Sequence, residues 1–156
     1  MNCQQRLEQY LRENEASFEV MTHAQVYTMQ EVAAALHVSG KQVAKVVMVK
    51  AGGKMVMLVV PAPSRLNFAE LRTLLGAKKV GLAKEEEFGP LFADCVTGAM
   101  PPFGNLYDLP VYVDQALTEE DVIVFRIGTH RHTMKVAYAD FSRLAQPTVG
   151  EFAWGS

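Results

Sequence analysis

One lysine stands where a strand pattern would place an apolar side chain. Lys45 lies within the segment "QVAKVVMVK", and in a regular strand it shares one face with Val43, Val47 and Val49. The local twist could turn Lys45 out to solvent, as is common for lysines at strand edges. Alternatively, it is a partly buried cation that faces an anion or a carbonyl group in a cleft. The residues alone leave both interpretations open.

A second unusual segment is "GAMPPFGN", in which Gly98 and Gly104 bracket two prolines. Proline lacks an N–H donor and glycine weakens the interior of regular elements, so this segment is neither a helix nor a central strand. The glycines permit close approach of a ligand, and Pro101 and Pro102 fix the direction of nearby backbone groups. The segment is either a structural turn or a binding loop that offers N–H groups to an oxyanion or a ribose.

The histidines give a weaker signal. His130 and His132 flank Arg131, and a His-x-His pair on a strand places both rings on one face, which could begin a metal site. No third ligand stands at useful spacing, so we predict no metal and expect loop histidines that hold backbone groups. The same expectation applies to His23, which precedes a helix signal.

The usual nucleophile motifs are missing from the sequence. It contains neither a G-x-S-x-G elbow nor a Walker-type phosphate loop. Cys3 and Cys95 lie far apart and form no C-x-x-C, so we expect reduced thiols, no disulfide and no zinc site. In this interpretation Cys95 is a small, buried apolar residue.

Composition limits the function classes further. The 156 residues fit one domain, which we place at 1–156, and 49% apolar and 21% charged residues are typical of globular proteins. A net charge of −2 gives no global basic field for nucleic acid. The longest apolar runs are too short to cross a bilayer, and the charged start lacks a signal-peptide core. We therefore expect a cytoplasmic protein without a membrane partner.

The element pattern predicts an α+β fold, with a mixed, mostly antiparallel β-sheet surrounded by short helices. Two β-rich runs, "VAKVVMVK" and "KMVMLVVPA", flank Gly52-Gly53 and indicate a hairpin. Thr28 and Glu31 form a capping-box pattern before "MQEVAAAL". Asn67 can cap a helix that stops at Gly76.

Lys45 and the glycine-bracketed loop together resemble the hallmarks of the YbaK/prolyl-tRNA-editing family of free-standing aminoacyl-tRNA deacylases. In that family a lysine follows a region similar to "AAALHVSGKQ", and a loop carries Gly, three residues, Pro, one residue and Gly. Here the loop positions are Gly98, Pro102 and Gly104, and the lysine is Lys45. The resemblance spans essentially the whole chain, through "GTHRHTMKVAYADFSRLAQP".

This resemblance implies hydrolysis of the ester that joins a wrong amino acid to the terminal adenosine of a mischarged tRNA. Lys45 would hold the substrate's carbonyl or the 3′-terminal backbone, and the Gly98–Gly104 loop would present N–H groups to the oxyanion. The terminal ribose hydroxyl would help to position water, and no cofactor is implied. An aminoacyl-tRNA synthetase is a candidate partner. Further residues expected to bind substrate are Pro102, Met100, Phe103, His130 and His23.

Met100 and Phe103 are expected to be apolar walls that limit the size of the amino acid. Alanine, serine, cysteine and threonine all remain open as the amino acid removed. Two other functions compete with trans-editing. One is a non-catalytic module that recognises a tRNA 3′ end, a nucleotide or a synthetase, and the other is a metal-dependent hydrolase built on His130 and His132. The oligomeric state is not indicated by the sequence.

Overall fold

The computed structural model describes residues 1–23 and 28–154, with the side chains of residues 29 and 30 also left out. Five α-helices, four short 3₁₀ helices and ten β-strands make up the regular structure of these described residues. The helices are α1 (Cys3–Glu13), α2 (Met29–Leu36), α3 (Phe68–Leu75), α4 (Glu85–Phe88) and α5 (Tyr138–Ala145). The strands are β1 (Phe18–Thr22), β2 (Ala44–Ala51), β3 (Lys54–Pro61), β4 (Arg65–Leu66), β5 (Val80–Leu82), β6 (Val111–Asp114), β7 (Val122–Ile127), β8 (Thr129–Ala137), β9 (Thr148–Gly150) and β10 (Ala153–Trp154).

Within the part of the chain that the structure describes, the strands form three sheets. A five-stranded sheet has the order β5-β2-β3-β6-β9, with antiparallel pairing up to β3 and parallel pairing beyond it. A three-stranded antiparallel sheet has the order β1-β8-β7, and β10 pairs with β4. The predicted α+β class with a mixed, mostly antiparallel sheet and short helices is therefore confirmed.

Local sequence signals fix several elements. The β2–β3 hairpin turns at Gly52 and Gly53, both with positive φ, as predicted. The Thr28 hydroxyl accepts a hydrogen bond from the backbone N–H of Glu31, and the Glu31 carboxylate accepts one from the backbone N–H of Thr28. The Asn67 side chain caps α3, which ends at Gly76 in the left-handed region. These short-range predictions are confirmed.

The two faces of the five-stranded sheet bury different clusters. One face, which includes Met48 and Met57, packs in the largest cluster together with α1, α5 and Phe103. The other face, which includes Val49 and Val60, packs against α3 and Phe152. Lys45 lies directly opposite Val60 in the β2–β3 register, so it belongs to the second face.

The five-stranded and three-stranded sheets are joined by an isolated parallel bridge between Val43 and Val124. Both residues are buried in a third, smaller cluster that includes Val32 and Ala33 of α2 and Ala62. This bridge brings the start of β2 next to β7 and leaves α2 over the junction. No helix among the described residues is long and apolar enough to cross a membrane.

The expectation of reduced thiols is wrong for this structure. Cys3 and Cys95 form a disulfide, with their Cα atoms 5.1 Å apart and a sequence separation of 92. The backbone N–H of Cys3 donates to the carbonyl of Asp94 at 2.9 Å, so the start of α1 lies directly on the segment that carries Cys95. Cys95 is half-buried rather than an isolated core residue. A contact between residues this far apart in sequence has no local signature.

The disulfide is expected to stabilise the fold. Closing so long a loop removes chain entropy from the unfolded state, and such a bond is typically worth about 2–4 kcal/mol. We therefore expect the double variant Cys3→Ala/Cys95→Ala to lose free energy of unfolding of about this size, measured by urea denaturation under oxidising conditions. Dithiothreitol should lower the stability of the wild type and leave the variant unchanged. Equal stability of the oxidised wild type and the variant would contradict this prediction.

Candidate functional site

Lys45 is a half-buried cation in the structure. Its Nζ donates to the carbonyl oxygen of Ser64 at 2.9 Å, across the end of β3. Burial lowers the pKa of Lys45 below its ordinary value. Of the two interpretations left open by the sequence, the partly buried cation is the one that agrees with this placement.

Arg126 lies on the same side of the joined sheets as Lys45. The parallel bridge pairs Val43 with Val124, and Lys45 and Arg126 each follow two residues further along their strands. Side chains two residues apart on a strand share a face, so the bridge places Lys45 and Arg126 on the same side of the sheet junction. Arg126 is only 6% exposed, and burial lowers its pKa.

Sequence reasoning missed Arg126, although a signal for it was present. It stands in the apolar strand segment "DVIVFRIG", just as Lys45 stands among valines. A single charged residue inside an apolar strand could have been singled out at both positions. What the sequence lacks is the register that brings the two strands together.

A tight turn at residues 96–99 lies next to Arg126. The Ala99 N–H donates to the Val96 carbonyl at 2.9 Å, and Gly98 has φ of +88°. Nη1 of Arg126 donates to the Gly98 carbonyl at 3.4 Å. The Gly98 N–H donates to Sδ of Met100 at 3.3 Å, and a thioether is a weak acceptor. A stronger acceptor on a ligand could therefore take over this N–H at small cost.

The turn is anchored to the β7–β8 hairpin by two backbone hydrogen bonds. The Val96 N–H donates to the Gly128 carbonyl at 2.9 Å, and the Gly128 N–H donates to the Ala99 carbonyl at 2.8 Å. Thr97 and Gly98 at its tip are exposed. The tip is thus reachable from solvent while its two ends are fixed.

His130 packs on this turn. Its Cε1 lies 3.5 Å from the position that a Cβ on Gly98 would occupy, and its ring bonds to the backbone of Thr97. Burial, and secondly the charge of Arg126, lower the pKa of His130, while the bond to Thr97 acts in the opposite direction. The neutral imidazole is therefore favoured. His130 holds a backbone group, as expected of a loop histidine, and it also borders the candidate site.

His23 reaches the same side of the three-stranded sheet. Its Nε2 lies 2.5 Å from Oγ1 of Thr133, a buried residue directly opposite Arg126 in the β7–β8 register. The His23 N–H donates to the Arg131 carbonyl at 2.9 Å. The structure thus brings His23 and Thr133 to the Arg126 side of the sheet, next to the turn.

His132 does not join His130 in a metal-binding group. Its Nδ1 lies 2.6 Å from Oγ1 of Thr129. Within residues 1–23 and 28–154, the grouping of side chains close enough to ligate an ion is Cys3, Asp94 and Cys95, and it contains neither histidine. Its two sulfurs are bonded to each other. The geometry therefore gives the metal-dependent alternative no support.

The second half of the glycine-bracketed loop lies in the core. Phe103 is fully buried, with its ring packed edge-on against Phe141 at a centroid distance of 5.5 Å. Pro102 is buried, and Met100 is 6% exposed. The predicted apolar walls therefore lie in the core rather than on a surface that a ligand reaches. Of the two, Met100 still touches the site through its sulfur and Gly98.

Gly104 is also placed differently from the prediction. A Cβ at this position would lie 2.8 Å from Cγ2 of Val111, 3.2 Å from the Leu109 carbonyl and 3.3 Å from Sδ of Met57. Met57 belongs to the face of the sheet opposite Lys45. The catalytic role predicted for Gly104 therefore loses its geometric basis, and its lack of a side chain is explained by close packing.

The resulting arrangement can bind and polarise a carbonyl or an anion. It offers the ammonium of Lys45, the guanidinium of Arg126 and the weakly held N–H of Gly98, next to the neutral ring of His130. Such groups stabilise negative charge that develops on an oxygen, and they do so more strongly in a partly desolvated site. This chemistry suits attack of water on an ester without a protein nucleophile.

The chain is similar to known proteins in both sequence and fold. The family of aminoacyl-tRNA editing domains matches residues 23–144. The "Multifunctional Ser/Thr-tRNA deacylase ProXp-y" of Escherichia coli K12 is 30% identical over 153 residues, which cover 95% of this chain and 91% of that protein.

Two solved structures share the fold of this chain. The crystal structure of a candidate trans-editing enzyme for prolyl tRNA synthetase has a TM-score of 0.83 at 21% identity and covers 98% of each chain. The crystal structure of a hypothetical protein has a TM-score of 0.86 at 20% identity, covering 96% of this chain and 99% of that one. At these identities the similarity carries the fold alone.

A first test separates the two glycines of the loop. Gly104→Ala is expected to lower the free energy of unfolding by about 1–3 kcal/mol, because the new methyl group overlaps Val111 and nearby backbone. Urea denaturation measures the change. Gly81→Ala is the matched control, since a Cβ at Gly81 meets nothing within 4 Å. A Gly104→Ala variant as stable as the control would show that the site is not tightly packed.

His130 predicts a pH dependence of stability. Its folded pKa lies below the ordinary value of 6.5, so the unfolded chain binds the proton more readily. The contribution of neutral His130 to the free energy of unfolding is therefore fully present above pH 6.5. It is lost as the pH drops below that value toward the folded pKa. Urea denaturation between neutral and mildly acidic pH should show a shallower fall for His130→Gln than for the wild type.

The exposed His37 provides the control for this titration. His37→Asn replaces an exposed histidine without a change of fold, because asparagine tolerates the left-handed backbone at that position. Identical pH profiles for His130→Gln and the wild type would contradict the proposed environment of His130.

Proposed function

The chain belongs to the family of aminoacyl-tRNA editing domains and is an aminoacyl-tRNA deacylase, and we propose that it removes small amino acids from mischarged tRNA in trans. The observation that supports this proposal best is that Lys45 and Arg126 lie on one side of the sheet junction, where Arg126 donates to the carbonyl of Gly98. These groups suit a carbonyl that becomes negatively charged during hydrolysis. Serine and threonine are the favoured amino acids, because the E. coli relative carries them in its name.

In the proposed reaction water attacks the carbonyl carbon of the ester. The bond from that carbon to the ribose oxygen then breaks, and the ribose oxygen takes up the proton that the attacking water gives up, which leaves the free amino acid and the uncharged tRNA end. Lys45 polarises the carbonyl by its charge, and Gly98 turns its N–H from the Met100 sulfur to the developing oxyanion. The free hydroxyl of the terminal ribose positions the water. Catalysis then rests on positioning and electrostatics.

Small apolar residues border the proposed site. The cluster at the junction is built mainly from valine and alanine side chains: Val32, Ala33, Val43, Ala62 and Val124. Thr133 adds a hydroxyl group that bonds to His23 on the same side. A site that hydrogen-bonds a substrate hydroxyl discriminates more strongly than an apolar pocket alone. The half-buried His23 is therefore the proposed reader of a serine or threonine hydroxyl, and the fully buried Thr133 holds its ring.

The partner of the reaction is the 3′ end of the mischarged tRNA. The net charge of −2 supplies no broad attraction for the tRNA body. An aminoacyl-tRNA synthetase that presents the tRNA end is therefore a candidate second partner. Its contribution would appear as faster hydrolysis at low tRNA concentration.

A panel of mischarged tRNAs tests this function. We expect hydrolysis of seryl or threonyl esters on non-cognate tRNA, followed by release of the labelled amino acid. Lys45→Met should lower kcat/KM by about 100-fold or more, because one electrostatic contact to the oxyanion is lost. Circular dichroism should show an intact fold.

Lys50→Met is the matched control. Lys50 lies on the same strand, but it faces the other side and pairs with Glu87 at 2.6 Å. It should retain wild-type activity. The proposal would be contradicted if the protein hydrolysed none of the esters in a panel that includes alanyl, seryl, cysteinyl and threonyl tRNAs. Tight binding of a non-hydrolysable aminoacyl-adenosine without any turnover would instead favour a non-catalytic binding module.

A further inference from the structure

The disulfide between Cys3 and Cys95 has no part in the proposed mechanism, yet it lies close to the turn that carries Gly98. Cys95 stands one residue before Val96, whose N–H donates to the Gly128 carbonyl at 2.9 Å. On the other side of that hydrogen bond, a Cβ at Gly128 would lie 3.7 Å from the Cβ of Cys3 and 3.9 Å from its Sγ. The disulfide therefore ties together the two segments whose hydrogen bond fixes one end of the turn.

One sulfur of the disulfide is more open to solvent than the other. Cys3 is 1% exposed, whereas Cys95 is half-buried. Both residues line a surface cavity of about 330 Å³, which Asp94 and Gly128 also border. A disulfide is opened when a thiolate attacks one of its sulfurs and displaces the other. An incoming thiol is therefore expected to bond to Cys95 and to release Cys3.

The charges around the two sulfurs favour the same order. Cys3 is the first residue of α1, an 11-residue helix, and the positive end of the helix dipole stabilises a thiolate there. Cys3 is thus the better leaving group. The Sγ of Cys95 instead lies 3.8 Å from a carboxylate oxygen of Asp94, which opposes negative charge on Cys95. Arg6 pairs with Asp94 at 3.7 Å and offsets part of that charge while an external thiolate approaches.

Opening of the disulfide is expected to loosen the turn without unfolding the domain. The helix α1 keeps its main anchors, because Leu7 and Leu11 are fully buried in the largest apolar cluster. Of the residues that follow Cys95, Val96 is 48% exposed, and Gly98 is exposed as well. Exposed segments with few buried contacts open at a low free energy, so they respond first when a covalent tie is removed.

We propose that the disulfide between Cys3 and Cys95 is a site of thiol–disulfide exchange that controls hydrolysis at the candidate site. The reductant is a dithiol: one of its thiolates bonds to Cys95, Cys3 leaves as a thiolate, and the second thiol of the reductant then displaces Cys95. Two electrons and two protons pass to the protein, which gains two thiols, and the dithiol becomes a disulfide.

The oxidised protein is the more active form in this proposal. Without the disulfide the turn no longer holds the Gly98 N–H in one place, and a misplaced donor stabilises the oxyanion less. This link to hydrolysis rests on the proposed function, whereas the exchange at Cys95 does not.

The first test compares the oxidised and reduced protein on a mischarged tRNA. Treatment with dithiothreitol should lower the hydrolysis of seryl-tRNA by the wild type about 5- to 10-fold, mainly through kcat, because the chemical step loses a fixed donor. Removal of dithiothreitol and addition of oxidised glutathione should restore the rate. The double variant Cys3→Ala/Cys95→Ala is the matched control. It should show the rate of the reduced wild type under both conditions, with an intact fold by circular dichroism.

Hydrogen exchange tests the turn without any substrate. The N–H groups of Ala99 and Gly128 donate the backbone hydrogen bonds within the turn and at its end. We expect both amide hydrogens to exchange about 10-fold faster in the reduced protein, while those of the β2–β3 hairpin stay unchanged. Equal exchange in the two redox forms would overturn the inference. A reduced protein that unfolds altogether would overturn it as well, because the disulfide would then be purely structural.

The order of attack is tested by labelling. Brief exposure to reduced glutathione, then alkylation with iodoacetamide and peptide mass spectrometry, should find glutathione on Cys95 and the alkyl group on Cys3. The reverse assignment would overturn the proposed order, and a disulfide that dithiothreitol leaves intact in the folded protein would overturn the exchange site.

Two outcomes separate this inference from the proposed function. Equal seryl-tRNA hydrolysis by the oxidised and the fully reduced wild type would overturn the control of activity and leave deacylation intact. Failure of the wild type on every mischarged tRNA would instead reject the proposed function, while the expected labelling and hydrogen exchange would still support the exchange site at Cys95.

Discussion

The parallel bridge between Val43 and Val124 is the contact on which the candidate site depends. It is an isolated bridge, so the two strands run together only briefly before they diverge into separate sheets. That short contact fixes which side of β2 and β7 faces the junction, and a register shift of one residue would turn one of the two cations to the opposite face. The apolar cluster around Val43 and Val124 supplies the burial that holds this register. The site and the smallest core cluster are therefore parts of the same structure.

The turn at Gly98 shows how a short exposed segment is kept in place. Its ends are fixed by hydrogen bonds to Gly128, and the disulfide at Cys95 ties the preceding residues to the start of α1. Arg126 donates a hydrogen bond to the carbonyl of Gly98. Ordering of this kind costs conformational entropy during folding, so less remains to be lost when a substrate binds. The weak bond from Gly98 to the Met100 sulfur leaves the N–H available within that fixed frame.

Sequence signals predicted what depends on neighbours along the chain. The Gly52-Gly53 hairpin, the capped helices and the unusual position of Lys45 could all be found in the sequence, because turn chemistry, caps and strand parity act over a few residues. The disulfide could not be predicted, since its cysteines meet only after α1 has packed on a distant loop. Arg126 was missed for a similar reason. Its position in an apolar strand was visible in the sequence. Its placement on the same side as Lys45 depends on how two distant strands align.

The two glycines of the glycine-bracketed loop are required for different structural reasons. Its first glycine adopts a left-handed backbone at an exposed tip beside Arg126 and His130, whereas Gly104 lies against Val111 and Met57 in the core. Between them the chain passes through Met100 and Phe103, which anchor it in the largest apolar cluster. Both glycines belong to the same motif. Gly98 is required because of its left-handed backbone, whereas Gly104 is required because a side chain would not fit. The buried prolines and Phe103 thus anchor the loop in the core. Only its first residues are left exposed to contact a substrate.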